Sequence, residues 1–165
     1  NPVNFYGFSK QKGEEIFLSS GIKGIIIRVS WLYSCYGNNF VKTMLRLGKE
    51  KDSISVVSDQ FGSPTYAKDL AKLCISLLDK DLENNSKIYH YSNKGTISWY
   101  DFASEIMKVA NLSCEVNQIA TKDYPTLAKR PSFSVMDTSK IEKDFNIEIP
   151  FWKDSLKECI KNCKN

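Results

Sequence analysis

The stretch Phe5–Val29, FYGFSKQKGEEIFLSSGIKGIIIRV, decides the fold. Its first part is helix-compatible from Phe5 to about Ser19, Gly21-Ile22-Lys23-Gly24 ends the helix, and Ile25–Val29 follows as an apolar run of strand length. Such a run suits a strand buried on both faces of a parallel sheet. Upstream, Asn1-Pro2-Val3-Asn4 is a turn-type lead-in, because proline restricts the residue before it. Downstream the alternation continues. A helix is expected from about Asn39 to Lys49, with Phe40, Met44 and Leu47 at helical spacing, then a short strand carrying Ile54, Val56 and Val57. Tyr66–Leu78 reads as a helix with Leu70, Leu73, Cys74 and Leu77 as its apolar stripe. Lys80–Ser86 is a polar loop and Ile88–Tyr91 a strand. Ser98, with Asp101 three residues later, caps a helix running to about Ala110. A strand at Cys114–Ile119, a short helix at Asp137–Phe145 and a last helix at Trp152–Cys163 complete an α/β chain.

The same opening stretch carries the chemistry. Tyr6 and Lys10 stand four residues apart, so a phenol and an ammonium share one helical face. Eight tyrosines and twenty lysines among 165 residues would produce about one Tyr-x-x-x-Lys by composition alone, so the pair needs support from its surroundings. A phenol is protonated at neutral pH and can donate its proton to a carbonyl oxygen as a general acid. Making a phenol readily deprotonated near pH 7 takes roughly 4 kcal/mol. One positive charge about 4 Å away, at an effective dielectric near 20, supplies that order of energy. Gly13 sits within this helix at a cost of about 1 kcal/mol relative to alanine, tolerable where something must approach the backbone closely.

Composition narrows the function classes. A 42% apolar and 25% charged chain of 165 residues is ordinary for one globular unit with a core. No apolar run approaches the roughly 20 residues of a membrane span, and no signal peptide opens the chain, so no membrane partner and a cytoplasmic setting are expected. The net charge of +4 comes from scattered basic residues, which disfavours a nucleic-acid partner. Cys159 and Cys163 are spaced i, i+4, but no second Cys/His pair completes a tetrahedral metal site, and the cysteines read as reduced thiols. His90, the lone histidine, falls in a strand-like run and reads as a packed residue rather than a base.

Tyr6-Gly7-Phe8-Ser9-Lys10, extended by Gly13-Glu14, resembles the active-site helix of the extended short-chain dehydrogenase/reductases. The resemblance narrows to the dTDP-4-dehydrorhamnose reductases through Ile27–Tyr33, Gly37–Leu47, Asp59–Thr65, Ser98–Ala103 and Tyr124–Pro131, which occur in that family's order. It implies the downstream part of a Rossmann-type parallel sheet together with a smaller α/β substrate-binding subdomain. Residues 1–36 would end the dinucleotide-binding, catalytic domain, and residues 37–165 would form mainly the substrate-binding subdomain, interleaved with it. The chain departs from the family at Leu127, where a second proline is common.

The resemblance also implies an activity: reduction of the 4-keto group of dTDP-4-dehydro-L-rhamnose with NADPH or NADH, a dTDP-sugar as partner, and a homodimer. Tyr6 and Lys10 would be catalytic and would touch the cofactor, Lys10 through the nicotinamide ribose, with Val29 and Ser30 beside the nicotinamide. Trp31, at the carboxyl edge where open α/β sheets bind ligands, offers a flat face for a deoxysugar, with a core tryptophan as the other reading. Asn39 falls at a family position near the sugar nucleotide, though helix capping accounts for it equally well. Arg130, in a proline-rich loop, could meet the diphosphate with a bidentate guanidinium, or be a surface arginine. Trp99 reads as packing, Lys129 as solvated, and Asp59-Gln60 as shaping the substrate loop. Gly21 and Gly24 follow a helix and precede a strand, the reverse of the order a phosphate-binding fingerprint needs. With five residues before Tyr6, these 165 residues are expected to lack a cofactor phosphate site and to turn over negligibly alone. Two alternatives stand beside the reductase: another nucleotide-sugar reductase or epimerase, and a non-catalytic regulatory subunit of the same fold.

Overall fold

The computed structural model describes Pro2, residues 4–78, Lys80, residues 87–124, Thr126 and residues 130–163. Most of the loop expected at Lys80–Ser86, and the readings on Leu127 and Lys129, fall outside the described residues.

Helix α1, Phe5–Ser19, begins at Asn4, whose side-chain oxygen accepts from the Gly7 amide at 2.9 Å. Gly21, at φ +72°, turns the chain out of the helix, and Gly24 lets the backbone run close to the Phe17 ring. Strand β1, Ile25–Val29, then pairs in parallel with β6, Lys87–Tyr91, placing Arg28 opposite His90. β1 is not buried on both faces as its apolar run suggested. Arg28 is exposed, its neighbours are half-buried, and no residue of α1 is buried. A charged side chain in the run keeps one face of the strand polar.

Three further pairs follow among the described residues. β2, Leu32–Tyr33, pairs in parallel with β5, Thr65–Tyr66, and β3, Ser53–Val57, in parallel with β8, Glu115–Ile119. β4, Phe61–Gly62, pairs antiparallel with β7, Ile97–Ser98. Helices α2, Phe40–Glu50, α3, Ala67–Leu77, α4, Trp99–Ala110, α5, Ser139–Phe145, and α6, Trp152–Asn162, lie within a residue or two of their expected bounds. The capping box at Ser98 is present: Asp101 Oδ2 accepts from the Ser98 amide at 2.9 Å and Ser98 Oγ from the Asp101 amide at 3.1 Å. The two-residue strands carry too little pattern to be read from the sequence.

The apolar side chains gather into two clusters. One packs Tyr33, Val41, Met44, Ile54, Val56 and Tyr66 against Phe102, Ile106, Trp152, Leu156 and Ile160. The other packs Leu73, Leu77, Tyr89, Tyr91, Ile141 and Ile149, with Ile25, Ile27 and Val29 of β1 partly buried against it.

The expected stripe of α3 needs one correction. Leu73 and Leu77 are buried, but Cys74 is exposed and Asp69 is buried. Asp69 is tolerated because it is hydrogen-bonded: its Oδ2 accepts from Ser155 Oγ at 2.5 Å and from Asn93 Nδ2 at 2.9 Å. Asn93, 1% exposed, turns its Oδ1 to the Tyr66 amide at 2.7 Å, and its own amide donates to the Pro64 carbonyl at 3.1 Å. One side chain therefore ties α3, α6 and segment 64–66 together. Asn93→Ala removes one of the two donors to the Asp69 carboxylate and strands the Tyr66 amide, and is expected to lower the unfolding free energy by about 3 kcal/mol. Urea denaturation of the two proteins checks this.

Candidate functional site

Beyond the carboxyl end of β1 the chain enters an unusual conformation. Trp31 has φ +47°, a left-handed backbone that a bulky residue rarely adopts. Thr65, fully buried, holds it there: its amide donates to the Trp31 carbonyl at 3.2 Å and its Oγ1 to the Ser30 carbonyl at 2.6 Å. Ser30 Oγ in turn donates to the Ser63 carbonyl at 2.7 Å. The turn at Ser30–Trp31 is thus clamped on the segment that Asn93 anchors. Backbone strain persists only where the surroundings over-determine it, and here they do.

The left-handed turn lays the Trp31 indole flat on Trp99, with ring centroids 3.6 Å apart and planes 12° from parallel. Phe40 packs on Trp99 at 4.6 Å and stacks with Phe102 at 5.6 Å, which continues the stack into the buried core. On Trp31, a Cβ at Gly62 would fall 2.5 Å from Cε2, so only glycine fits beside that ring. The indole face expected to be free is therefore covered by Trp99. Trp31 joins the site as half of a two-indole stack.

Trp31, Trp99, Ser30, Gln60, Arg130, Pro131 and Ser134 line a cleft of about 130 Å³. Arg130 is brought there because residues 132–134 run beside Phe61: the Phe61 amide donates to the Ser132 carbonyl, and the Ser134 amide to the Phe61 carbonyl, each at 2.8 Å. Gln60 is 8% exposed and donates from Nε2 to Thr121 Oγ1 at 3.1 Å, while Asp59 accepts from the Thr121 hydroxyl at 2.6 Å. That Thr121 hydroxyl bond, with the Thr121 amide, holds the Asp59 carboxyl below its ordinary range. Asp59 thus fastens the 3-10 turn Thr121–Asp123 beside the cleft, and Gln60 lines it. Gln60 was expected to shape the substrate loop and lines the cleft, whereas Trp99, read only as packing, is a cleft residue that sequence reading missed. The signal for Trp99 was its place directly after the capping residue Ser98, which reports position and not exposure.

The remaining expected residues sit elsewhere. Val29 is half-buried in β1 against the second apolar cluster. Asn39 caps α2, its Oδ1 accepting from the Lys42 amide at 3.2 Å and its Nδ2 donating to the Ser34 and Tyr36 carbonyls. Both ends of its amide are engaged, which favours the capping reading. Tyr6 and Lys10 are exposed on α1 with the Lys10 ammonium 5.3 Å from the Tyr6 ring centroid, and they do not line the cleft. Nothing described lies within 4 Å of a Cβ at Gly13. Further along the same helix, Glu14 accepts from both Nε, at 2.7 Å, and Nη2 of Arg28 on β1. The Arg28 hydrogen bonds hold the Glu14 carboxyl below its ordinary range.

The nicotinamide end of a dinucleotide has candidate partners here in Tyr6, Lys10 and the β1 terminus. Gly21 and Gly24 serve the α1–β1 turn, Gly21 by its positive φ and Gly24 by the room it leaves for the Phe17 ring. Among the described residues no three His, Cys, Asp or Glu side chains are grouped to hold a metal ion, and no helix is long and apolar enough to cross a membrane.

All 165 residues match the RmlD substrate binding domain. The chain belongs to that family. It is 45% identical to the dTDP-4-dehydrorhamnose reductase of Aggregatibacter actinomycetemcomitans, over 95% of this chain and 56% of that protein. The chain thus spans about half the length of the curated relatives it matches. The dTDP-4-dehydrorhamnose reductase of Bacillus anthracis, solved in complex with NADP, superposes with a TM-score of 0.91 at 40% identity, covering 98% of this chain and 56% of that one. The Clostridium acetobutylicum dTDP-4-dehydrorhamnose reductase ortholog superposes with a TM-score of 0.93 at 40% identity, covering all of this chain and 57% of that one. The parallel strand pairs of this RmlD-family chain are those of a Rossmann-type α/β fold.

Two measurements test this geometry. Gly62→Ala drives a methyl into the Trp31 ring and is expected to destabilise the protein by about 1–3 kcal/mol with a shifted tryptophan emission. Glu14 has a lowered carboxyl, so its stabilising contribution is present above the ordinary carboxylate range and is lost as pH falls through its depressed value. The stability gap between the native sequence and Glu14→Gln should therefore narrow as pH falls below the ordinary carboxylate range, as followed by circular dichroism.

Proposed function

We propose that the protein carrying this chain reduces the 4-keto group of dTDP-4-dehydro-L-rhamnose to give dTDP-L-rhamnose, with NADPH or NADH. The observation that carries this reading is the Tyr6–Lys10 pair, a phenol with an ammonium 5.3 Å from its ring, on a chain of the RmlD family. The names of the relatives support the substrate, and the NADP bound by the Bacillus anthracis enzyme supports the cofactor.

The reduced nicotinamide, when bound, supplies hydride to the carbonyl carbon. Tyr6 gives its phenolic proton to the carbonyl oxygen, so the ketone becomes an alcohol without a free alkoxide. Lys10 stabilises the phenolate that Tyr6 leaves and hydrogen-bonds the nicotinamide ribose. Val29 and Ser30 border the nicotinamide, Ser30 from the clamped turn. The Trp31–Trp99 stack forms an apolar wall of the substrate cleft, and Arg130 meets the diphosphate with its guanidinium. Asn39 contributes by shaping the 34–39 loop through its hydrogen bonds to Ser34 and Tyr36. In this reading residues 1–36 belong with the cofactor-binding part and residues 37–165 mainly with the substrate-binding part. The protein works in the cytoplasm as a homodimer, a state that light scattering reads directly.

Tyr6→Phe in the full-length protein removes the proton donor and leaves the ring. It is expected to lower kcat for dTDP-4-dehydrorhamnose reduction by a factor of about 10²–10⁴ with little change in NADPH affinity. NADPH oxidation followed at 340 nm decides the matter, and a variant as fast as the parent would overturn the role given to Tyr6.

A further inference from the structure

We propose that Arg28 is a positioning residue for Lys10: it captures the Glu14 carboxylate on strand β1 and so keeps that carboxylate off the Lys10 ammonium. This rests on the proton-handling role proposed for Tyr6 and Lys10.

Residues 6, 10 and 14 are spaced four apart and share one face of α1. Helical side chains lean toward the N-terminus, so Lys10 leans over Tyr6 and Glu14 leans toward Lys10. The first half of that statement is visible in the ammonium lying 5.3 Å from the Tyr6 ring centroid. α1 holds two acidic residues. Glu15 is engaged with Lys12 at 2.6 Å, which leaves Glu14 as the acid one turn from Lys10. Position 13, the other C-terminal neighbour of Lys10 on the helix surface, is glycine and has no side chain to intervene. Left alone, Glu14 would pair with Lys10, neutralise it, and remove the charge that the Tyr6 phenolate needs.

Arg28 prevents that pairing by geometry. Its guanidinium takes both Glu14 oxygens, through Nε at 2.7 Å and through Nη2, in the planar two-point fit that a lysine cannot match. The Glu14 side chain is 15% exposed and that of Arg28 45%, so the carboxylate is the more enclosed partner and is drawn toward the strand. His90, opposite Arg28 in the β1–β6 register, adds to the field that favours the charged carboxylate. Within α1 Gly7, Glu14 and Phe17 are the half-buried residues, so this face of the helix lies toward the rest of the chain, and there Arg28 is the partner that engages the Glu14 carboxylate.

The test uses the full-length protein with Arg28→Gln, Glu14→Gln and the double variant, measuring kcat for the keto sugar and, separately, NADPH affinity by fluorescence titration. Arg28→Gln frees the carboxylate and is expected to lower kcat and weaken NADPH binding, each by about tenfold. Adding Glu14→Gln removes the freed carboxylate and should bring both back to within about threefold of the parent. A merely structural bridge cannot produce that rescue. A double variant as impaired as Arg28→Gln would overturn the proposal. Glu14→Gln alone touches no core residue and so answers even if Arg28→Gln folds poorly: a loss near tenfold would show a strut and overturn the proposal, and near-parent values support it. Should the parent fail to reduce the keto sugar while NADPH binding still shows loss and rescue, the substrate reading falls and this inference stands.

Discussion

The buried amide of Asn93 is the constraint on which the site depends. Its Oδ1 holds the Tyr66 amide and its Nδ2 holds Asp69, so the segment Pro64–Tyr66 has one permitted position relative to helices α3 and α6. Thr65, in that segment, then dictates the carbonyls of Ser30 and Trp31. Three hydrogen bonds, Asp69–Asn93, Asn93–Tyr66 and Thr65–Trp31, therefore link a carboxylate in the core to the backbone of a cleft tryptophan. Buried polar networks of this kind are costly if incomplete and specifying if complete. This one is complete at each atom the cleft depends on.

The cleft extends the core outward. Trp31 on Trp99, Trp99 on Phe40 and Phe40 on Phe102 form a continuous run of rings from the solvent edge to a fully buried position. Each ring fixes the next, so the outermost indoles have little freedom to reorient. Large aromatic rings held this way present shape to a ligand with few rotamers left to immobilise. Gly62 contributes by absence, since any side chain there would meet the Trp31 ring.

Much of the architecture was legible in the sequence because it is written in local patterns. The capping box at Ser98, the cap at Asn39 and the glycine exit from α1 each follow from residues three or four positions apart. The Tyr6–Lys10 face was legible for the same reason. What escaped was long-range. Asp69 was invisible as a core residue because its partners, Asn93 and Ser155, lie far away in the chain. Cys74 was assigned to the apolar stripe when Asp69 takes the buried position. The run Ile25–Val29 was read by its four apolar residues, and Arg28, which sets the polarity of one face, was underweighted. Trp31 was placed correctly at the strand's carboxyl end, but its covering by Trp99 depends on a positive φ that no local motif announces.

The strand pairs have a consequence for how the molecule comes apart. β1 pairs with β6 and β3 with β8, so in chain order the two parallel pairings interlock, each opening before the other has closed. A single cut anywhere between Val29 and Glu115 severs at least one of them, and no contiguous piece can carry one pair away intact without part of the other. Each pairing joins residues about 60 positions apart, so neither forms until a long loop has closed. This interlocked order ties the two apolar clusters together through the chain. Damage to either pairing is felt across the whole chain.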